Sequence, residues 1–109
     1  MEEPVVIGIT AWRTSAAWDA ASICHQAESA EALGFHSYWL PENHFGDARA
    51  IPSPLTLLAA ASARTRKIRL ATTSYLLPIR HPLQAAEEVA VVDQLSGGRL
   101  ILGLGRGIQ

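Results

Sequence analysis

Residues Ile68–Leu104 read IRLATTSYLLPIRHPLQAAEEVAVVDQLSGGRLILGL. From Ile68 to Ser74, Ile68, Leu70 and Thr72 alternate with Arg69, Ala71 and Thr73, the period-two pattern of a strand. A loop containing Pro78 follows. Pro82 then opens a helix, because its fixed φ suits the first helical turn and its missing N–H is not needed there. Ser96-Gly97-Gly98 ends that helix near Leu95. Arg99–Leu104 is a second short apolar strand. Strand, helix and strand with short connections make a right-handed β-α-β unit, so the two strands are parallel.

Toward the N-terminus the same unit repeats. Ser53-Pro54 offers a capping hydroxyl and then proline at the first position of a helix running to about Ala63. His36–Leu40 is a strand rich in aromatics (Tyr38, Trp39), and Pro41–Ile51 is a longer connection with turn chemistry at Gly46-Asp47. Thr14 and Ser15 are candidate caps for a helix from about Ala17 to Leu33, with Asp19 in its first turn and Gly34 at C′. Val5–Thr10 is a β-branched run, expected to be a buried strand. The order is therefore β-α-β-α-β-α-β, an α/β class with a parallel sheet. An open doubly wound sheet and a piece of a (β/α) barrel both suit it.

With 109 residues, 49% hydrophobic and 17% charged, the chain has the composition of one globular domain. A formal net charge of −1 argues against nucleic acid or an anionic membrane as a partner. No apolar run has the length of a membrane span, and Glu2-Glu3 is unlike a signal peptide. The single cysteine, Cys24, cannot form an internal disulfide and reads as a buried, inert thiol. These features together lead us to expect a cytoplasmic protein.

Several stretches, in order, resemble the bacterial luciferase-like superfamily of flavin and deazaflavin oxidoreductases. They are Gly34-Phe35, Tyr38-Trp39-Leu40-Pro41-Glu42-Asn43-His44-Phe45, Thr65–Arg69 leading into Ala71–Ser74, and Leu77-Pro78 with His81-Pro82. Ala86-Glu87-Glu88, Asp93–Arg99 and Gly103-Leu104-Gly105-Arg106-Gly107 complete the set, which covers nearly the whole sequence. The resemblance implies the first half of a (β/α)8 TIM barrel, with the active site at the C-terminal ends of the strands. It also implies reduced FMN or the deazaflavin coenzyme as cofactor. The reaction would be oxidation of a small organic substrate by reduced flavin and oxygen, or hydride exchange with the deazaflavin. A flavin reductase is an expected supplier of the reduced cofactor.

The resemblance also assigns roles. His44 would face the flavin ring or substrate as acid, base or hydrogen-bond donor. Read from its own position beside His44, Glu42 either orients that histidine, pairs with a cation deeper in the barrel, or is an exposed loop glutamate. Thr73-Ser74 match a non-proline cis peptide that supports the ring. Arg106, between Gly105 and Gly107, would grip the flavin phosphate, the glycines letting the backbone approach. Two departures argue against light emission: Asn43 stands where luciferases have a histidine, and Gly105 where they have a reactive cysteine. Gly103-Leu104-Gly105-Arg106-Gly107 also resembles part of a dinucleotide fingerprint, but lacks its third glycine, its helix and its acid. His81 reads as a loop or cap residue, and neither His25 nor His36 has neighbours suggesting a metal; no metal is expected.

Alanines lie on more than one face of the helices from Pro54 (Ala59, Ala60, Ala61, Ala63) and from Pro82 (Ala85, Ala86, Ala90). One face must cover the sheet; a second suggests contact with another subunit, as the family's dimer interface implies. Residues 1–109 are accordingly expected to be an N-terminal half-barrel, truncated relative to its family. Open strand edges and an uncovered barrel interior predict self-association, pairing with a complementing half, or membership of a longer product. A non-catalytic flavin-binding or dimerisation subunit is the remaining alternative.

Overall fold

The computed structural model describes residues 3–13, 18–46 and 48–107. Four strands, β1 (Gly8–Thr10), β2 (Ser37–Leu40), β3 (Arg69–Leu76) and β4 (Leu100–Gly105), form one sheet in the order β1-β2-β3-β4. Every neighbouring pair is parallel. Three helices alternate with them: α1 (Ala20–Ala32), α2 (Pro54–Ala63) and α3 (Pro82–Leu95).

The strand order separates the two architectures that the sequence pattern leaves open. Right-handed crossovers that always step in one direction put every helix on the same face of the sheet. Ile9, Tyr38, Leu40, Leu70, Leu100 and Leu102 point to that face and pack with Ile23, Leu58, Ala61 and Val92 of the helices. By strand alternation Ser37, Trp39, Arg69, Ala71 and Ile101 occupy the opposite face, which in a barrel becomes the interior. A doubly wound sheet would carry helices on both faces. This is a segment of a barrel.

Three local expectations need correction. Only Gly8–Thr10 of the Val5–Thr10 run is strand, and Val5, Val6 and Ile7 are exposed. The cause is position: β1 is an edge strand paired only with β2. The first helix begins at Ala20, and its cap is Asp19, which accepts from the Ser22 amide while Ser22 Oγ accepts from the Asp19 amide. Thr14, Ser15 and Ala17 lie outside the described residues, as does Asp47 of the expected turn. Ser53 precedes α2 but makes no capping bond; its φ of 53° is left-handed, whereas a capping side chain works from an extended backbone.

Elsewhere expectation and structure agree. Gly34 follows the end of α1 with φ 86°, and Cys24 is buried. His81 caps α3, its Nδ1 accepting from the Leu83 amide at 3.1 Å. The Pro78 loop is a short 3-10 turn, Leu77–Ile79. Ala61 and Ala85 pack inward, whereas Ala60, Ala63, Ala86 and Ala90 are exposed. No helix among the described residues is long and apolar enough to cross a membrane.

At the N-terminal end of the sheet, two charged side chains serve the fold. Glu31 Oε2 accepts the amides of Arg66, Lys67 and Ile68 at 2.8, 2.7 and 3.0 Å. Arg99 donates to the carbonyls of Ser62, Thr65 and Ile68, closing the C-terminal end of α2.

Candidate active site at the C-terminal strand ends

Three strand ends converge on one cavity of about 680 Å³, lined by Pro41, Glu42, Asn43, His44, Thr73, Ser74, Leu76, Gly105, Arg106 and Gly107. All six residues expected in the site (His44, Glu42, Thr73, Ser74, Gly105 and Arg106) lie on its wall.

The β2 end is held from beneath. Asn43 closes the loop against Ile51: its amide donates to the Ile51 carbonyl and its Oδ1 accepts the Ile51 amide, both at 3.0 Å. Trp18 Nε1 donates to the Ala50 carbonyl at 2.9 Å, tying the same loop to the start of α1. Glu42 is consequently turned inward, its side chain wholly buried, while the His44 side chain keeps 30% exposure. His44 Nε2 lies 2.5 Å from Glu42 Oε2.

Glu42 Oε1 has two further partners, the Leu76 amide and Arg80 Nη1, each at 2.9 Å. Burial drives the Glu42 carboxyl upward, but the Leu76 amide, His44 and Arg80 outweigh it and hold the group below its ordinary value. Glu42 thus bonds both His44 and a cation. That cation is Arg80, which the sequence reading did not single out. Its clue was its place, the only arginine between the end of β3 and the His81-Pro82 helix start.

The β3 end departs from regular pairing. Its register against β4 shifts between Thr72 and Tyr75, and within the shift the Thr73–Ser74 peptide bond is cis. The β4 end comes close beside it: a Cβ on Gly105 would lie 2.6 Å from Ser74 Cβ, so only glycine permits this approach. Gly107, with φ 89°, turns the chain after Arg106. Arg106 is exposed on the cavity wall and makes no ion pair among the described residues.

Chemically the wall offers a guanidinium for an anion, backbone at two glycines, and an imidazole backed by a buried carboxylate. The luciferase-like monooxygenase family model matches residues 5–109. The chain belongs to this family. An uncharacterised protein of Sinorhizobium fredii is 47% identical over 81 residues, which is 74% of this chain and 24% of that protein. Limonene 1,2-monooxygenase of Rhodococcus erythropolis is 39% identical over 93 residues, 82% of this chain and 24% of that enzyme. The chain thus spans about a quarter of the length of these relatives.

Solved structures agree. The oxygenating constituent of 3,6-diketocamphane monooxygenase from Pseudomonas putida, in complex with FMN, superposes with a TM-score of 0.87 at 27% identity, over 97% of this chain and 30% of that one. The coenzyme F420 dependent tetrahydromethanopterin reductase of Methanopyrus kandleri gives 0.80 at 29% identity, over 97% and 28%. The parallel β/α segment is the first half of a luciferase-like TIM barrel.

Proposed function

We propose that this chain supplies the flavin-facing first half of a luciferase-like monooxygenase, which oxidises a small organic substrate with reduced FMN and oxygen and does not emit light. The observation that carries the reading is the convergence of three strand ends, with His44, Thr73-Ser74 and Arg106, on one cavity. The FMN held by the related diketocamphane enzyme supports it. Arg106 would hold the phosphate, with Gly105 and Gly107 allowing close backbone approach; Thr73-Ser74 would support the ring.

When bound, the reduced flavin would supply the electrons that activate oxygen. The chain's own contribution is binding and proton handling. With Glu42 ionised and acceptor-only, His44 donates its Nε2 hydrogen to it, and Nδ1 is the nitrogen left to take a proton from a bound molecule. Asn43, which cannot titrate, spends its side chain on loop closure.

A deazaflavin-dependent hydride transfer is the second reading, supported by the likeness to the F420 dependent reductase. Anaerobic titration with reduced FMN and with the reduced deazaflavin decides between them. Tighter binding of FMN supports the monooxygenase, tighter binding of deazaflavin the hydride transfer, and binding of neither overturns both. A flavin reductase would deliver the cofactor in the cytoplasm. The exposed alanines of α2 and α3 would make the contact with a second copy.

A further inference from the structure

Arg80 is assigned no role by the resemblance, yet it is tightly held beside the cavity. Its Nη1 donates to Glu42 Oε1 at 2.9 Å and to the Leu76 carbonyl at 2.8 Å. Its guanidinium carbon also stands 4.0 Å above the centre of the Tyr75 ring. Tyr75 is itself buried, so its ring gives the guanidinium a fixed neighbour. Arg80 thus crosses from the start of α3 to the end of β2 and meets Glu42, the carboxylate bonded to His44.

We infer that Arg80 is a positioning residue: as the resident counter-ion of Glu42, it keeps that carboxylate ionised and acceptor-only, and so fixes His44 as the Nε2–H tautomer, which leaves Nδ1 as the accepting nitrogen. The inference rests on the proposed role of His44, which it deepens. Glu42 is wholly buried and needs a cation. With Arg80 in place, that need is met without a second cation at His44. Without Arg80, the buried carboxylate keeps the Leu76 amide and His44 alone, and the nearest source of a compensating proton is the imidazole. His44 would then be charged at both nitrogens, or Glu42 would be protonated and the tautomer reversed. In either case Nδ1 no longer accepts.

The other charged and titratable groups around the pair do not duplicate this role. Tyr75 of β3 presents its ring face to Arg80, and burial pushes its hydroxyl above the ordinary value, so it is neutral. Glu88 of α3 bears on Tyr75 but makes no bond to Arg80. Arg106, across the cavity, makes no ion pair with Glu42. Among the described residues, Arg80 is the one Lys or Arg side chain paired with this carboxylate.

The test is the ¹⁵N signature of the His44 ring, recorded without flavin near neutral pH in the parent chain and in Arg80→Gln and Arg80→Lys. The parent is expected to show the neutral Nε2–H pattern. Arg80→Gln should lose it, giving the doubly protonated or the Nδ1–H pattern, and Arg80→Lys should restore it at least in part, because the ammonium keeps the charge. A merely structural arginine would move none of these signals selectively. An Arg80→Gln ring that keeps the parent's pattern overturns the inference. So does a parent ring that is Nδ1–H or doubly protonated, a result that stands even if Arg80→Gln does not fold. Because no flavin is present, failure here is distinct from failure of the proposed function, which the cofactor titration reads separately.

Discussion

Thr72 and Gly103 bond to each other twice: Gly103 N donates to Thr72 Oγ1 and Thr72 Oγ1 donates to the Gly103 carbonyl, both at 3.0 Å. A side-chain hydroxyl thereby replaces ladder bonds where β3 and β4 lose register, just before Thr73-Ser74. A Cβ on Gly103 would lie 2.3 Å from the Thr72 carbonyl oxygen. The shape of the cavity floor depends on this close approach. Thr72→Val should cost about 1–3 kcal/mol, because it leaves the Gly103 amide without its partner. Thr72→Ser keeps the hydroxyl and should cost about 1 kcal/mol for the lost methyl. Gly103→Ala should cost about 1–3 kcal/mol or more by forcing the two backbones apart. Urea melts of the three variants check the order, and a Thr72→Val chain as stable as Thr72→Ser would contradict it.

Glu31 predicts a pH dependence at the opposite end of the sheet. Burial raises its carboxyl, but the amides of Ile68, Lys67 and Arg66, with Arg99, hold it below its ordinary value. A depressed folded-state value means stability that is present above the unfolded carboxylate range and lost as pH falls through the folded value. Glu31→Gln should therefore cost about 1 kcal/mol at neutral pH, discounted for solvent exposure, and less as pH falls. Melts of parent and variant across this range should converge in acid. A gap that widens in acid would contradict the assignment.

Glu42 follows the same sign with larger stakes, because its side chain is fully buried and Arg80 depends on it. Glu42→Gln should cost about 3 kcal/mol at neutral pH by leaving Arg80 without its anion. The difference from the parent should shrink as pH falls through the depressed folded value. Melts from neutral pH to about pH 3 check this.

The outward alanines carry the association proposal. Ala60→Glu or Ala86→Glu puts a charge on an exposed helical position, so it should leave helix content unchanged while splitting any dimer. Sedimentation reads the result. A parent chain that is monomeric, or an association that survives both charges, would remove α2 and α3 from the interface.

Much of this was legible in the sequence because its signals are local. Pro54, Pro82 and Gly34 mark helix limits through backbone geometry that needs no tertiary partner, and those limits hold in the structure. The ordered motifs put all six candidate residues at strand ends, and in the structure these six line one cavity. What escaped depends on contacts distant in sequence. Arg80 lies 38 residues from Glu42, and nothing around Pro78–Pro82 announces that its guanidinium crosses to another strand end. Asn43 read as a lost titratable group, whereas its partner is the Ile51 backbone across the loop. Ser53 looked like a cap because serine is the usual one; the approach of the loop into α2 sets a left-handed φ that removes the option.

The cavity between His44, Thr73-Ser74 and Arg106 is proposed as the flavin site. Its most direct test is an anaerobic NMR titration of the chain with reduced FMN, following backbone amides and the His44 ring. Saturable shifts confined to Asn43–His44, Thr73–Leu76 and Gly105–Gly107 are expected, with affinity falling about 10–100-fold in Arg106→Ala through loss of the charged contact. Shifts centred elsewhere, or a folded chain whose signals do not move, would contradict it.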